Sequence, residues 1–162
     1  VTLSPSRPVA PADLAACRIL VIDDEEANVL LLSTILKREG YADVIGTTDP
    51  EAALGLFVGR EPDLVLLDLM MPVVDGYQLL EAFRRQTAPD DYRPVLVLTA
   101  DATPAARRRA LSLGAKDFVS KPFDVVEVAL RIANLLETRV LYRRLSAIVS
   151  EGAPPSQASQ AT

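Results

Sequence analysis

Residues 64–76, LVLLDLMMPVVDG, constrain this chain more than any other stretch. Four apolar residues, Leu64 to Leu67, run into one carboxylate, Asp68, and then into a proline-containing loop that Gly76 helps to close. A continuous apolar run this short, bounded by turn residues, fits a strand buried on both faces. Such a strand needs helices above and below it. In open parallel α/β sheets, ligands bind outside the carboxyl ends of the strands, which is where Asp68 falls. What the chain is built for therefore depends on what else arrives at that edge.

Four further segments behave like the first. Arg18 to Ile22 (RILVI) reads as a buried strand that ends in Asp23-Asp24-Glu25-Glu26. Val29, Leu32, Ile35 and Leu36 then recur at helical spacing over Ala27 to Glu39, with Gly40 as a stop. A short strand, Asp43 to Gly46, precedes Asp49-Pro50, a helix cap with proline at the first helical position, and that helix runs to about Gly59. Asp75 caps a helix reaching Arg85, with Tyr77, Leu80 and Phe83 on its inner face. Pro94 to Leu98 (PVLVL) is a buried run ending at Thr99, and Thr103-Pro104 opens a helix that Gly114 terminates. Lys116 to Val119 is the fifth strand, ending before Ser120, Lys121 and Pro122. Asp124 and Glu127 have capping-box spacing, and Phe123 and Val128 have hydrophobic-staple spacing, so a last helix starts there and continues past Leu136. Five alternations of strand and helix predict an α/β domain with a doubly wound five-stranded parallel sheet and an extended C-terminal helix.

Four of the five strands end in functional side chains on one edge: Asp23 and Asp24, Asp68, Thr99, and Lys121. Clustered carboxylates repel one another, and a bound cation relieves that repulsion. The chain has no histidine and one cysteine, Cys17, so oxygen ligands and a hard ion, Mg²⁺, are the expected pairing. The same count excludes catalytic triads, cysteine metal clusters, internal disulfides and an internal phosphohistidine. Magnesium favours a few carboxylates together with phosphate oxygens, which points to phosphoryl chemistry. Thr99 and Lys121 supply a hydroxyl donor and a point charge for phosphoryl oxygens, and a carboxylate can serve as the nucleophile. Asp68 is the choice for that role, because it leaves the central strand between the acidic pair and the Thr/Lys side. The net charge of -5 argues against broad nucleic-acid binding by this segment.

These motifs, in this order, resemble the receiver (CheY-like) domain of two-component response regulators. The resemblance covers roughly residues 18–136. It rests on Asp23-Asp24 after LVI, Asp68 followed by Met71-Pro72 and Asp75-Gly76, Thr99-Ala100 after a strand, and Lys121-Pro122-Phe123. It implies a flavodoxin-like fold and phosphoryl transfer to Asp68 from a sensor histidine kinase. It also implies Mg²⁺ ligation by Asp24, Asp68 and the backbone carbonyl of Met70, with Asp23 acting mostly through water. Thr99 and Phe118 fall at the family's switch positions, where hydroxyl and ring movements reshape the face made by the fourth helix, fifth strand and fifth helix. Phe118 carries no hydroxyl, so it lacks the hydrogen bond a tyrosine tip would make. The Lys121-Pro122 bond is often cis in such proteins.

Two other functional classes fit parts of the pattern. A Mg²⁺-dependent aspartyl phosphohydrolase of the common kind wants a second acid two residues after the nucleophile, and that position is Met70. A constitutive, unphosphorylated protein-binding module would keep the fold without needing the full acidic site. Read one at a time, Asp23-Asp24 suits a helix N-terminus and Phe118 suits a core; Arg107 to Arg109 and the arginines near residue 140 suit solvated helix faces. Residues 1–15, with Pro5, Pro8 and Pro11, read as a loose arm, 16–136 as the receiver, 137–150 as a helical extension or linker, and 151–162 as a disordered tail. Asn134, Thr138, Leu141, Leu145 and Ile148 keep a 4-3-4-3 spacing, which suits both a short coiled-coil seam and a final helix overrunning its sheet. A homodimer would use that stripe or the face between the fourth and fifth helices. No output module is encoded after residue 136, so the output is a separate partner or an attached domain. With no signal peptide and no run of ~20 apolar residues, the expected location is the cytoplasm.

Overall fold

The computed structural model describes residues 8–152. Its elements are α1 (Pro11–Ala15), β1 (Arg18–Ile22), α2 (Glu26–Arg38), β2 (Asp43–Thr47), α3 (Pro50–Arg60), β3 (Leu64–Leu67), α4 (Gly76–Gln86), β4 (Val95–Thr99), α5 (Pro104–Ser112), β5 (Asp117–Ser120) and α6 (Val125–Gly152). All strand pairings are parallel, in the order β2-β1-β3-β4-β5. The sequence-predicted fold class is the observed one. The predicted fourth and fifth helices are α5 and α6, because a short helix precedes the alternation.

Period-two alternation sorts each strand between two cores. Ile19, Val21, Leu64, Leu66, Leu96 and Leu98 face Leu32 and Leu36 of α2 and Val128, Ile132 and Leu136 of α6. Leu20, Ile22, Val65, Leu67, Val95 and Val97 face Phe57 of α3, Leu80 and Phe83 of α4, and Ala110 of α5. Each fully buried aliphatic side chain contributes roughly 1.5–3 kcal/mol, so β1, β3 and β4 form a framework costly to distort. Helix starts follow the caps read from sequence. Asp49, Asp75, Thr103 and Asp124 each accept a backbone N–H from the first turn, at 2.9, 2.9, 3.2 and 2.9 Å. Glu127, however, does not complete the capping box. It binds Arg131 instead, at 2.8 Å.

The reading of residues 1–15 as a loose arm needs correction from residue 8 onward. Pro11–Ala15 is helical, and Val9 and Leu14 are buried. Pro11 opens the helix where its missing N–H costs nothing. The apolar surface that orders the segment belongs to α6, over a hundred positions away in sequence, and the two elements pack together. Residues 1–7 lie outside the described residues. At the other end Glu151 and Gly152 still belong to α6, and the rest of the expected tail lies outside the described residues.

The solvated-face reading also fails for Arg139, which is only 6% exposed. Its guanidinium meets Asp63 at 3.1 Å, Asp91 at 2.6 Å and the carbonyl of Tyr92 at 2.8 Å. Asp63, at the amino end of β3, also accepts from the backbone N of Arg18 at 2.9 Å and from Arg143 at 3.0 Å. Replacing Asp63 with alanine leaves a buried guanidinium short of one carboxylate and a backbone N–H without its acceptor. The expected loss of unfolding free energy in urea denaturation is about 3 kcal/mol, and a loss below about 1 kcal/mol would contradict the buried-network account.

Candidate functional site

The parallel register brings the predicted residues together by extending each ladder one step past its strand. Asp23 donates its backbone N–H to Thr47 (3.3 Å), Asp68 to Ile22 (3.0 Å) and Lys121 to Thr99 (2.8 Å). Backbone bonds thus fix the residues before any side chain makes a contact. Three carboxylates, Asp23, Asp24 and Asp68, present oxygens within 4.8 Å of one another. The Lys121 ammonium lies 2.6 Å from Asp23 and 3.2 Å from Asp68. Asp24 is half-buried and has no ion-pair partner among the described residues. Asp24, Asp68 and Lys121 border an open cleft of about 710 Å³ that Met70, Ala100 and Pro122 also line.

Asp23 is 2% exposed and its oxygens are already engaged. Oδ1 accepts from the Glu25 N–H at 3.0 Å and the Asn28 amide at 3.3 Å, and Oδ2 takes Lys121. Asn28 was not among the residues singled out from sequence, since a lone polar residue on an amphipathic helix carries no signal of its own. Asp68 uses Oδ1 to accept the Met70 N–H at 3.0 Å, which starts the following loop. Thr99 is fully buried and its hydroxyl oxygen has no hydrogen-bond partner. A buried orphan hydroxyl one residue before the cleft-lining Ala100 is a donor awaiting an acceptor. Phe118 sits inside the core covered by α3, α4 and α5, with Val97 and Ala110. The Lys121-Pro122 bond is cis.

The loop between Asp68 and α4 leaves no room for a side chain at Gly76. A Cβ there would lie 2.5 Å from the Leu69 Cα and 3.0 Å from the Asp68 carbonyl. That close approach tucks the start of α4 under the site.

Residues 19–133 match the family described as response regulator receiver domain. This chain belongs to that family. It is 42% identical over 119 residues to a probable transcriptional regulator, ycf27, of Porphyridium aerugineum, covering 74% of this chain and 48% of the relative. It is 41% identical, with the same coverage, to the alkaline phosphatase synthesis transcriptional regulatory protein PhoP of Bacillus subtilis. It therefore spans about half the length of the curated relatives it matches. Among solved structures, a Francisella response regulator receiver domain superposes with a TM-score of 0.68 at 30% identity, over 76% of this chain and 98% of that one.

Within the receiver, burial raises the Asp68 carboxyl above the ordinary carboxylate range, more than the Met70 N–H and Lys121 lower it. Burial pulls Lys121 down, but the Asp23 and Asp68 carboxylates outweigh it and hold the ammonium above its usual range. Raised pKa at Asp68 means the native state binds its proton more tightly than the unfolded chain. The carboxyl therefore favours folding while protonated and opposes it once ionised. Asp68→Asn in metal-free buffer should raise the melting temperature at pH 7. That gain should shrink as pH falls toward 3.8, where the native carboxyl is protonated as well. A gain that grew on acidification would refute the burial account.

Val73 offers a second check. It has φ of 74°, a left-handed conformation that a β-branched residue adopts only under strain, and it is 87% exposed. Val73→Gly should raise stability by about 1 kcal/mol without disturbing a packing contact, measured by thermal or chemical denaturation.

Proposed function

We propose that this receiver is a phosphorylation-dependent signalling switch in which Asp68 accepts a phosphoryl group from a sensor histidine kinase. The observation that carries the reading is the orphan, fully buried Thr99 hydroxyl at the same edge as Asp68 and Lys121. In the transfer, an Asp68 carboxylate oxygen forms a bond to phosphorus. The bond from phosphorus to the kinase's histidine nitrogen breaks, and the imidazole leaves with its electron pair. Lys121 already touches Asp68 and supplies a positive charge to the phosphoryl oxygens. Thr99 donates its free hydroxyl to another of them.

With all three carboxylates ionised, the single Lys121 ammonium leaves two negative charges unbalanced. Such an oxygen-rich, histidine-free cluster fits Mg²⁺, held by Asp24, Asp68 and the Met70 carbonyl, with Asp23 acting through water. When bound, Mg²⁺ would neutralise charge on the phosphoryl oxygens. Thr99 and Phe118 then form the switch pair. A phenylalanine ring enters the core without burying a hydroxyl, so the inward position carries no desolvation cost beyond packing. The face of α5, β5 and α6 would pass the change to an output domain or a downstream protein, and the relatives named as transcriptional regulators support an attached output. A homodimer through that face, or through Leu141, Leu145 and Ile148, belongs to the same proposal, as does a cytoplasmic setting. Among the described residues, no helix is long and apolar enough to cross a membrane. The position two residues after Asp68 is Met70, 59% exposed, and offers no acid for a turnover phosphohydrolase.

Incubation with acetyl phosphate and Mg²⁺ should add one phosphoryl group by intact mass, and Asp68→Asn or chelation should abolish it. Absence of the adduct with both acetyl phosphate and the cognate kinase would replace this reading with that of a constitutive binding module.

A further inference from the structure

The family match begins at residue 19 and ends at residue 133, yet the chain folds onto itself outside both limits. We propose that residues 9–17 and the far half of α6 are docking partners, and that their contact makes α6 a rigid strut on the receiver rather than a flexible linker.

Neither partner holds its shape unaided. A helix of five residues does not form by itself in water, and an isolated helix of about sixteen is marginal. Here Val9 and Leu14 are 0% and 4% exposed, packed in the core that contains Leu135 and Leu136, with Val140 against it. Cys17 lies beneath them at 2% exposure. On the helix side, Arg139 is buried against Asp63 and Asp91, Arg143 reaches Asp63 at 3.0 Å, and Arg144 reaches Asp13 of α1 at 2.8 Å. The bonds fall within two turns of α6 and bind it to three separate places: the residue just before β3, the loop before β4, and α1. A helix that peeled away after Leu136 would strand Arg139's partners and open the core at Leu14. Docking through Arg144 leaves only residues 145–152 overhanging, a length of about 12 Å at 1.5 Å per residue. An element joined beyond α6 would then feel any rotation of the helix directly.

The chain's single cysteine provides a reporter at the joint. Burial pushes the Cys17 thiol up to about 11, so while docked it reacts slowly with a disulfide reagent. In the full chain, we expect Ellman's reagent to modify native Cys17 at least ~100-fold more slowly than the urea-unfolded thiol. Amides of residues 139–144 should exchange as slowly as those of 128–136. Leu14→Ala, and separately Arg139→Gln, should accelerate thiol modification by about tenfold or more and release the 139–144 amides, while 128–136 stay protected. Persistence of the 128–136 protection identifies local undocking rather than unfolding, and Leu14→Ala decides the matter if the arginine variant does not fold. Fast exchange over 139–144 in the unmodified chain, or no change of either readout in Leu14→Ala, would overturn the proposal. Slow thiol and amide kinetics support the docking whether or not Asp68 accepts a phosphoryl group.

Discussion

A parallel sheet buried on both faces has no place for a charge except at the ends of its strands, and the rest of this structure follows from that restriction. Along β1, β3 and β4 nearly every side chain is aliphatic and inaccessible. Charged groups appear one residue after the strands at the carboxyl end, as Asp23 and Asp68, and just before or at the start of them at the amino end, as Asp63 and Arg18. Both ends became built polar sites, but with opposite outcomes. At the amino end, arginines and carboxylates pair completely around Asp63 and fasten α6. At the carboxyl end the pairing is left incomplete.

That incompleteness is what the proposed phosphoryl transfer draws on. One ammonium answers three carboxylates, and a fully buried hydroxyl has no partner. A fold optimised for stability alone would neutralise the first and satisfy the second, since each unpaired buried polar group costs on the order of 1–3 kcal/mol. Burial raises Asp68 despite a lysine in contact, so desolvation prevails over the single ion pair. The same carboxylate is thereby less stabilised as an anion than an exposed one would be. The cost is borne by the two apolar cores, each drawing on strands and helices that meet only in the tertiary fold.

Most of this was legible in the linear chain, for identifiable reasons. Apolar runs ending in Asp23, Asp68, Thr99 and before Lys121 announce buried strands and their carboxyl ends, and Asp49-Pro50 and Thr103-Pro104 announce helix starts by local stereochemistry. Arg139, Asn28 and α1 were not legible. Arg139 reads as one basic residue among several on a polar helix, and only its burial and its bond to Asp91, 48 positions away, distinguish it from Arg143, which also reaches Asp63, or from Arg144. Leu14 sits among prolines and alanines, and nothing in that segment reveals that α6 will cover it.

The sequence by itself determined the alternation of strands and helices, the burial of the sheet and the set of residues at its carboxyl edge, because period, capping and turn chemistry are properties of neighbouring residues. Only the tertiary structure decided that Thr99 keeps an unsatisfied hydroxyl and that Lys121 bridges Asp23 and Asp68. It alone decided that the first and last helices clasp each other. Those outcomes depend on register and on distances between residues far apart in the chain, and such quantities exist only once the sheet has closed around its two cores.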